Sequence, residues 1–190
     1  MKKGFIVLIS GPSGVGKGTI LTRLLEDPRL NLTFSVSMTT RKKRENEIHG
    51  KHYFFVSRDE FDDNIKRNNF LEHATFVENS YGTPKDYVFE LLNKGHNVLI
   101  EIEVKGAKML LENVSHKDVI SFYIVPPSVE DLIKRLRNRG TEDEATILKR
   151  AAKFEEEVKF KDQYQHIIVN DDLEVAIREI TDLIQRRMKQ

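Results

Sequence analysis

The chain has 190 residues, with 31 Lys or Arg against 30 Asp or Glu and a formal net charge of +1. That length suits one compact domain with room for inserted pieces, and an apolar content of 39% is enough for a real core. The balanced charge removes any global pull toward nucleic acid or an anionic membrane, and the absence of cysteine excludes disulfides and thiolate metal sites.

Met1-Lys-Lys-Gly runs straight into the apolar stretch Phe5–Ile9. This stretch is too short for a secretory signal and has no cleavage site, so a cytoplasmic protein is expected. No segment reaches the length of a membrane span. Phe5–Ile9 reads as a buried strand. Gly11-Pro12-Ser13-Gly14-Val15-Gly16-Lys17-Gly18-Thr19 follows it, and then Ile20, Leu21, Leu24 and Leu25 recur at helical spacing. Strand, glycine-rich loop and helix together form the context of a phosphate-binding loop. The glycines let backbone N–H groups approach phosphate oxygens with no Cβ in the way. The start of the helix adds its positive end, and Lys17 can reach the β- and γ-phosphates of a nucleoside triphosphate as a point charge. The motif asks for Ser or Thr directly after the lysine, where Gly18 stands. A magnesium ion is therefore expected on Thr19, the next hydroxyl, or through water.

Further along, apolar strand-like runs alternate with amphipathic helical ones. Thr33–Ser37, Asn97–Ile102, Val119–Val125 and His166–Val169 read as further core strands. Helices are predicted over Lys17–Glu26, Ser57–Arg67, Pro84–Lys94, Val104–Asn113, Ser128–Asn138, Glu142–Glu157 and Asp172–Met188. Ser57-Arg-Asp-Glu60 has the form of a capping box, and Gly95 stands where a helix stop is wanted. The alternation predicts an α/β fold with a mostly parallel sheet. Two stretches interrupt it. Residues 34–83 hold short strand-like pieces, Tyr53–Val56 and Phe70–Val77, around a polar loop, and suggest an inserted subdomain with its own sheet. Residues 137–160 are charged and helical and suggest a lid. The core then comprises 1–33, 84–136 and 161–190. This layout suits a two-substrate kinase, with one appendage gripping the acceptor and the other covering the donor phosphates.

The basic run Arg41-Lys-Lys-Arg44, taken alone, reads as a surface loop or a targeting patch. Glu101 ends an apolar strand, where it could stand near a metal or simply cap the next helix. Phe5, Phe54, Phe55, Phe61, Phe70 and Phe76 are expected in the core, and Lys149–Lys161 on a solvated helix face apart from Arg150. The six histidines form no metal-spaced pair, and His49 and His52 are expected to face solvent.

Ser35-Val-Ser-Met-Thr-Thr-Arg41-Lys-Lys-Arg44 is followed by Glu47, Gly50 and Tyr53. Further on come Phe70-Leu-Glu72, Tyr81-Gly-Thr83, Leu99-Ile-Glu-Ile-Glu-Val-Lys-Gly106, Pro126-Pro-Ser-Val-Glu-Asp131, Arg139-Gly-Thr-Glu142 and Val169-Asn-Asp-Asp172. With the glycine loop upstream, this series resembles the guanylate kinase family from Phe5 to the last helix. The resemblance implies a P-loop core with a GMP-binding insertion and a helical lid. It also implies transfer of phosphate from ATP to GMP with Mg2+, GMP and ATP being the partners rather than nucleic acid or membrane.

By the same resemblance, residues Gly11 to Thr19 and Asn170 bind ATP, with Asn170 near the adenine; a strand-to-helix cap is the other reading of Asn170. Glu72 matches the acid that reads guanine. This makes chemical sense, because a carboxylate accepts both protons of guanine's N1 and N2 edge but would face a lone pair on adenine. Ser37 and Thr83 match hydroxyl contacts to the base, and Glu103 a further acid near it. Arg41, Arg44, Tyr53 and Tyr81 match the grip on the GMP phosphate, where each arginine can fork onto two oxygens. Glu101 matches a position at the reaction centre. Lys17, Arg41, Arg135, Arg139 and Arg150 match the cations that stabilise the transferring group. Two other readings stand beside this one: a kinase for a different nucleoside monophosphate, and a guanylate-kinase-like module that binds without catalysis.

Overall fold

Every residue of strand β1 (Ile6–Ser10) is buried, because the strand lies in the middle of a sheet covered on both faces. The computed structural model describes residues 2–190. On one side of β1 runs β7 (Asn97–Glu101), with β2 (Leu32–Phe34) beyond it. On the other side runs β8 (Val119–Val125), with β9 (His166–Val169) at the edge. All five strands are parallel, and Ile6 stands in register with both Val98 and Val119.

Alternate residues of β1 serve two cores, as a pleated strand requires. Ile6 and Leu8 meet Leu110 of helix α4 (Val104–Asn113), Leu132 of α5 (Val129–Arg139) and Phe154 of α6 (Glu144–Glu157). Val7 and Ile9 meet Leu24 of α1 (Lys17–Leu25) and Ile180 of α7 (Leu173–Met188). In an open parallel sheet ligands bind beyond the carboxyl ends of the strands. Here that edge carries the glycine loop after β1 and Glu101 at the end of β7.

A second sheet is built from residues 38–84. It has four strands, β3 (Met38–Thr39), β4 (Phe54–Phe55), β5 (Phe70–Phe76) and β6 (Asn79–Pro84), in the order β4-β3-β6-β5. Helix α2 (Arg58–Lys66) opens with the expected capping box: Ser57 Oγ accepts from the Glu60 amide and Glu60 accepts from the Ser57 amide. Helix α3 (Lys85–Asn93) starts where β6 ends, and Gly95 follows it at φ 87°.

The structure departs from the sequence reading in several places. The strand expected over Thr33–Ser37 is Leu32–Phe34; the Ser35 amide makes one more bond to Leu99 O, and the chain then leaves for the second sheet. Strands β3 and β6 were not expected, since Asn79-Ser-Tyr-Gly-Thr-Pro84 has no apolar alternation. Phe76 is 76% exposed rather than in the core, because β5 is buried at its start and runs outward to a hairpin tip. At that tip Val77 adopts φ 57° in a two-residue loop. Among the described residues no helix is long and apolar enough to cross a membrane, and no group of three or more His, Asp or Glu is placed to hold a metal.

Candidate active site

The loop between β1 and α1 is shaped by left-handed backbone. Gly16 caps α1 at φ 96°, and a Cβ there would stand 2.6 Å from Asn170 Nδ2. Asn170 is buried and donates that same Nδ2 to Val15 O at 2.7 Å, while its amide bonds Val125 O at 2.8 Å. It therefore braces the loop from behind. Gly11, Pro12, Ser13 and Lys17 line a cavity of 290 Å³ together with Glu101, Glu103, Arg150, Lys153 and Glu157. The Lys17 ammonium donates to Gly11 O at 2.7 Å and Pro12 O at 2.9 Å, and stands 4.0 Å from Glu101. Burial pushes its pKa below the ordinary lysine value, and Glu101 and Glu157 partly restore it. The two carbonyl contacts are ones that phosphate oxygens can replace.

Two arginines stand at this loop, in separate concavities. Arg150 on α6 donates to Ser13 Oγ and pairs with Glu142. Arg139, at the end of α5, lines a second concavity with Gly16, Gly18 and Thr19. Arg135 lies one turn earlier on α5, half-buried. Thr19 thus stands on the Arg139 flank, apart from the cavity that holds Lys17 and Glu101. Magnesium prefers phosphate oxygens, waters and one or two carboxylates, and Glu101 is a carboxylate beside this loop.

Lys153 went unnoticed in the sequence. It lies in the charged run expected to be a solvated face, yet it stands in the cavity wall, 3.4 Å from Glu103 and 3.2 Å from Glu157. The (i, i+4) spacing from Lys153 to Glu157 was visible, but nothing in the sequence told which face of α6 meets the core.

A second group of polar side chains is built on the second sheet. Glu72 on β5 is 7% exposed, and its Oε1 accepts from Thr83 Oγ1 of β6 at 2.6 Å. Burial raises the pKa of this carboxyl; the Thr83 hydrogen bond opposes the shift and the charge of Glu103 adds to it. Tyr53 and Tyr81 meet edge to face at 6.0 Å, and the Arg41 guanidinium lies 5.5 Å from the Tyr53 ring centre. Glu47 takes the Arg41 guanidinium at 2.6 and 3.0 Å and the Arg44 amide at 2.8 Å. The Arg44 side chain is exposed. Ser37 is half-buried and its carbonyl accepts from the Phe54 amide at 2.8 Å. His49 and His52 are exposed, as expected, and each Nδ1 accepts a backbone amide of the loop, from Phe55 and Ile48.

The two halves meet along Glu101-Ile-Glu103. Glu101 faces Lys17, and Glu103 stands at the start of α4, close enough to Glu72 to act on its charge. A cation-lined glycine loop and a buried carboxylate thus lie at two ends of one run of acids.

A family model described as guanylate kinase matches residues 3–187. A guanylate kinase of Mycoplasma capricolum subsp. capricolum is 48% identical over 97% of this chain, which spans 61% of that protein's length. One of Mycoplasmoides gallisepticum is 46% identical, with 96% of this chain and 93% of the relative covered. The crystal structure of guanylate kinase from Anaplasma phagocytophilum superposes with a TM-score of 0.71 at 33% identity, covering 100% of this chain and 89% of that one.

Proposed function

The chain belongs to the guanylate kinase family, and from that membership we propose that it transfers the γ-phosphoryl group of ATP to GMP, yielding ADP and GDP. A phosphate oxygen of GMP attacks the γ-phosphorus in line and the bond to the ADP oxygen breaks, with no covalent enzyme intermediate. The residues from Gly11 to Gly18 present backbone N–H groups to the donor phosphates. Lys17 exchanges its two carbonyl contacts for phosphate oxygens. Arg139 and Arg150 close on the loop, with Arg135 behind them, and favour the spread charge of the transition state over the ground state. Glu101, with water, would hold Mg2+, which would supply charge neutralisation at the donor phosphates.

On the acceptor side Glu72 accepts the N1 and N2 protons of guanine, with Thr83 and Ser37 as hydroxyl neighbours and Glu103 at the edge of the same pocket. Arg41, Arg44, Tyr53 and Tyr81 hold the phosphate of GMP. The four-stranded sheet is then the acceptor grip and α5–α6 the lid, whose closure excludes water and suppresses hydrolysis of ATP.

One observation carries this reading. Glu101 and Glu103 line the Lys17 cavity and the charge of Glu103 acts on the buried Glu72, so a triphosphate at Lys17 and a purine at Glu72 would lie on either side of one run of acids. A coupled ADP-release assay with ATP·Mg2+ and each nucleoside monophosphate in turn tests it. GMP should be the preferred acceptor; faster turnover of AMP or a pyrimidine monophosphate, or none of GMP, overturns the assignment.

A further inference from the structure

Helix α4 passes so close to β5 that one residue of it has no room for a side chain. Gly106, the third residue of α4, is buried, and a Cβ built on it would stand 2.9 Å from Glu72 Oε2, 3.5 Å from its Cδ and 3.6 Å from its Cγ. All three nearest atoms belong to Glu72. The other carboxylate oxygen, Oε1, is held by Thr83 at 2.6 Å. The carboxylate is therefore clamped between a hydroxyl on one side and bare helix backbone on the other. Asn113, at the far end of α4, donates to Leu71 O at 3.3 Å, which pins the helix against the strand that carries Glu72.

We propose that Gly106 is a positioning residue for base selection: its missing side chain sets where the Glu72 carboxylate stands, and so sets the preference for a purine with a protonated N1 and a 2-amino group. This rests on the base-reading role given to Glu72 above. A methyl group at 106 presses first on that carboxylate. The carboxylate must turn or retreat, and the bond to Thr83 weakens with it. Glycine is a poor residue for a helix interior and alanine the best. Loss of α4 is therefore not the expected effect of Gly106→Ala, and the strain falls on Glu72.

The test is steady-state kinetics on Gly106→Ala, with Glu72→Gln and Glu72→Asp as references. For Gly106→Ala the KM for GMP should rise about tenfold, the penalty of one misplaced bidentate base contact. The KM for ATP should stay within about twofold, the scatter of a site left intact. Discrimination between GMP and inosine monophosphate, which lacks the 2-amino group, should collapse. The double variant Gly106→Ala/Glu72→Asp, whose shorter acid regains the space, should have a lower KM for GMP than the sum of the single effects requires. Equal rises in both KM values, or a GMP preference unchanged in Gly106→Ala while Glu72→Gln loses it, overturn the role of Gly106. An unchanged KM for GMP in Glu72→Gln overturns the base-reading role itself, and the proposal with it.

Discussion

The carboxylate of Glu47 holds the guanidinium of Arg41 as a fork, its two oxygens 2.6 and 3.0 Å from the two terminal nitrogens. The ring of Tyr53 lies 5.5 Å from the same guanidinium, and Phe55 lies 5.6 Å from it. A long flexible side chain is thereby fixed in one direction, which would lower the entropy lost on taking the phosphate proposed for it.

Hydrogen bonding to Arg41, then to the Arg44 amide, pulls the Glu47 carboxyl down to about 2. With the folded value depressed, the pair contributes stability above the ordinary glutamate value of about 4.3, and loses it as pH falls toward 2. Carboxyl NMR should place the Glu47 midpoint near 2, and Arg41→Met should return it toward the ordinary range. A midpoint already in that range in the parent protein would show that the fork does not persist in solution.

Lys17→Ala should lower kcat by about 10²–10³, the usual cost of one charge-stabilising group at a reaction centre. Circular dichroism should be unchanged, since the ammonium bonds only to loop carbonyls and faces Glu101. Turnover near the parent rate would remove Lys17 from the chemistry.

To accept both protons of the guanine edge, as proposed, Glu72 must be ionised, and burial raises its pKa. The KM for GMP should therefore climb as pH falls, with an inflection above the ordinary value of about 4.3. The KM for ATP should not share that inflection, and Glu72→Gln should abolish it while raising the KM for GMP at neutral pH. A GMP profile flat through this range would be incompatible with a carboxylate contact.

Lys153 places a cation in the cavity wall beside Glu103 and Glu157. Lys153→Met should lower kcat/KM roughly three- to tenfold, as expected of one partly screened charge near phosphates. Melting should move little, because exposed ion pairs are worth about 0–1 kcal/mol. Kinetics unchanged at low ionic strength would return Lys153 to a purely solvated role.

Gly16 combines φ 96° with a neighbour 2.6 Å from where a Cβ would stand. Gly16→Ala should cost about 1–3 kcal/mol in denaturant unfolding, the range for strained backbone. It should also weaken ATP, because the displaced atom is the Asn170 brace. A midpoint equal to the parent's would show that the loop can rearrange freely.

The α/β fold was legible because the parallel strands are continuous apolar runs and the helices carry caps. Ser57, Asp143 and Asp172 each accept from a backbone amide at a helix start. The glycine loop was legible because Gly11, Gly14 and Gly16 stand at φ 147°, 92° and 96°, which other residues rarely adopt. The second sheet was harder. β3 is two residues long, and β6 is polar although largely buried. Such a strand has no hydrophobic period to read, and Tyr81 and Thr83 were found by motif resemblance alone. Lys153 and the clamp on Glu72 escaped the sequence for a different reason. Both depend on how closely one element lies against another, and spacing along the chain does not encode that.

No residue separates β6, which ends at Pro84, from α3, which begins at Lys85, and only residues 35–37 lie between β2 and β3. Both straps fasten on the β7 side of the core: the Ser35 amide bonds Leu99 O, and α3 lies against β7. A third attachment lies beside them, where β5 packs on α4 and Asn113 donates to Leu71 O. Glu72 and its partner Thr83 stand next to these three fastenings. The loop bearing Arg41 and Arg44 follows β3, which is separated from β5 by β6. Any bending of the sheet would therefore carry Arg41 and Arg44 farther than it carries Glu72.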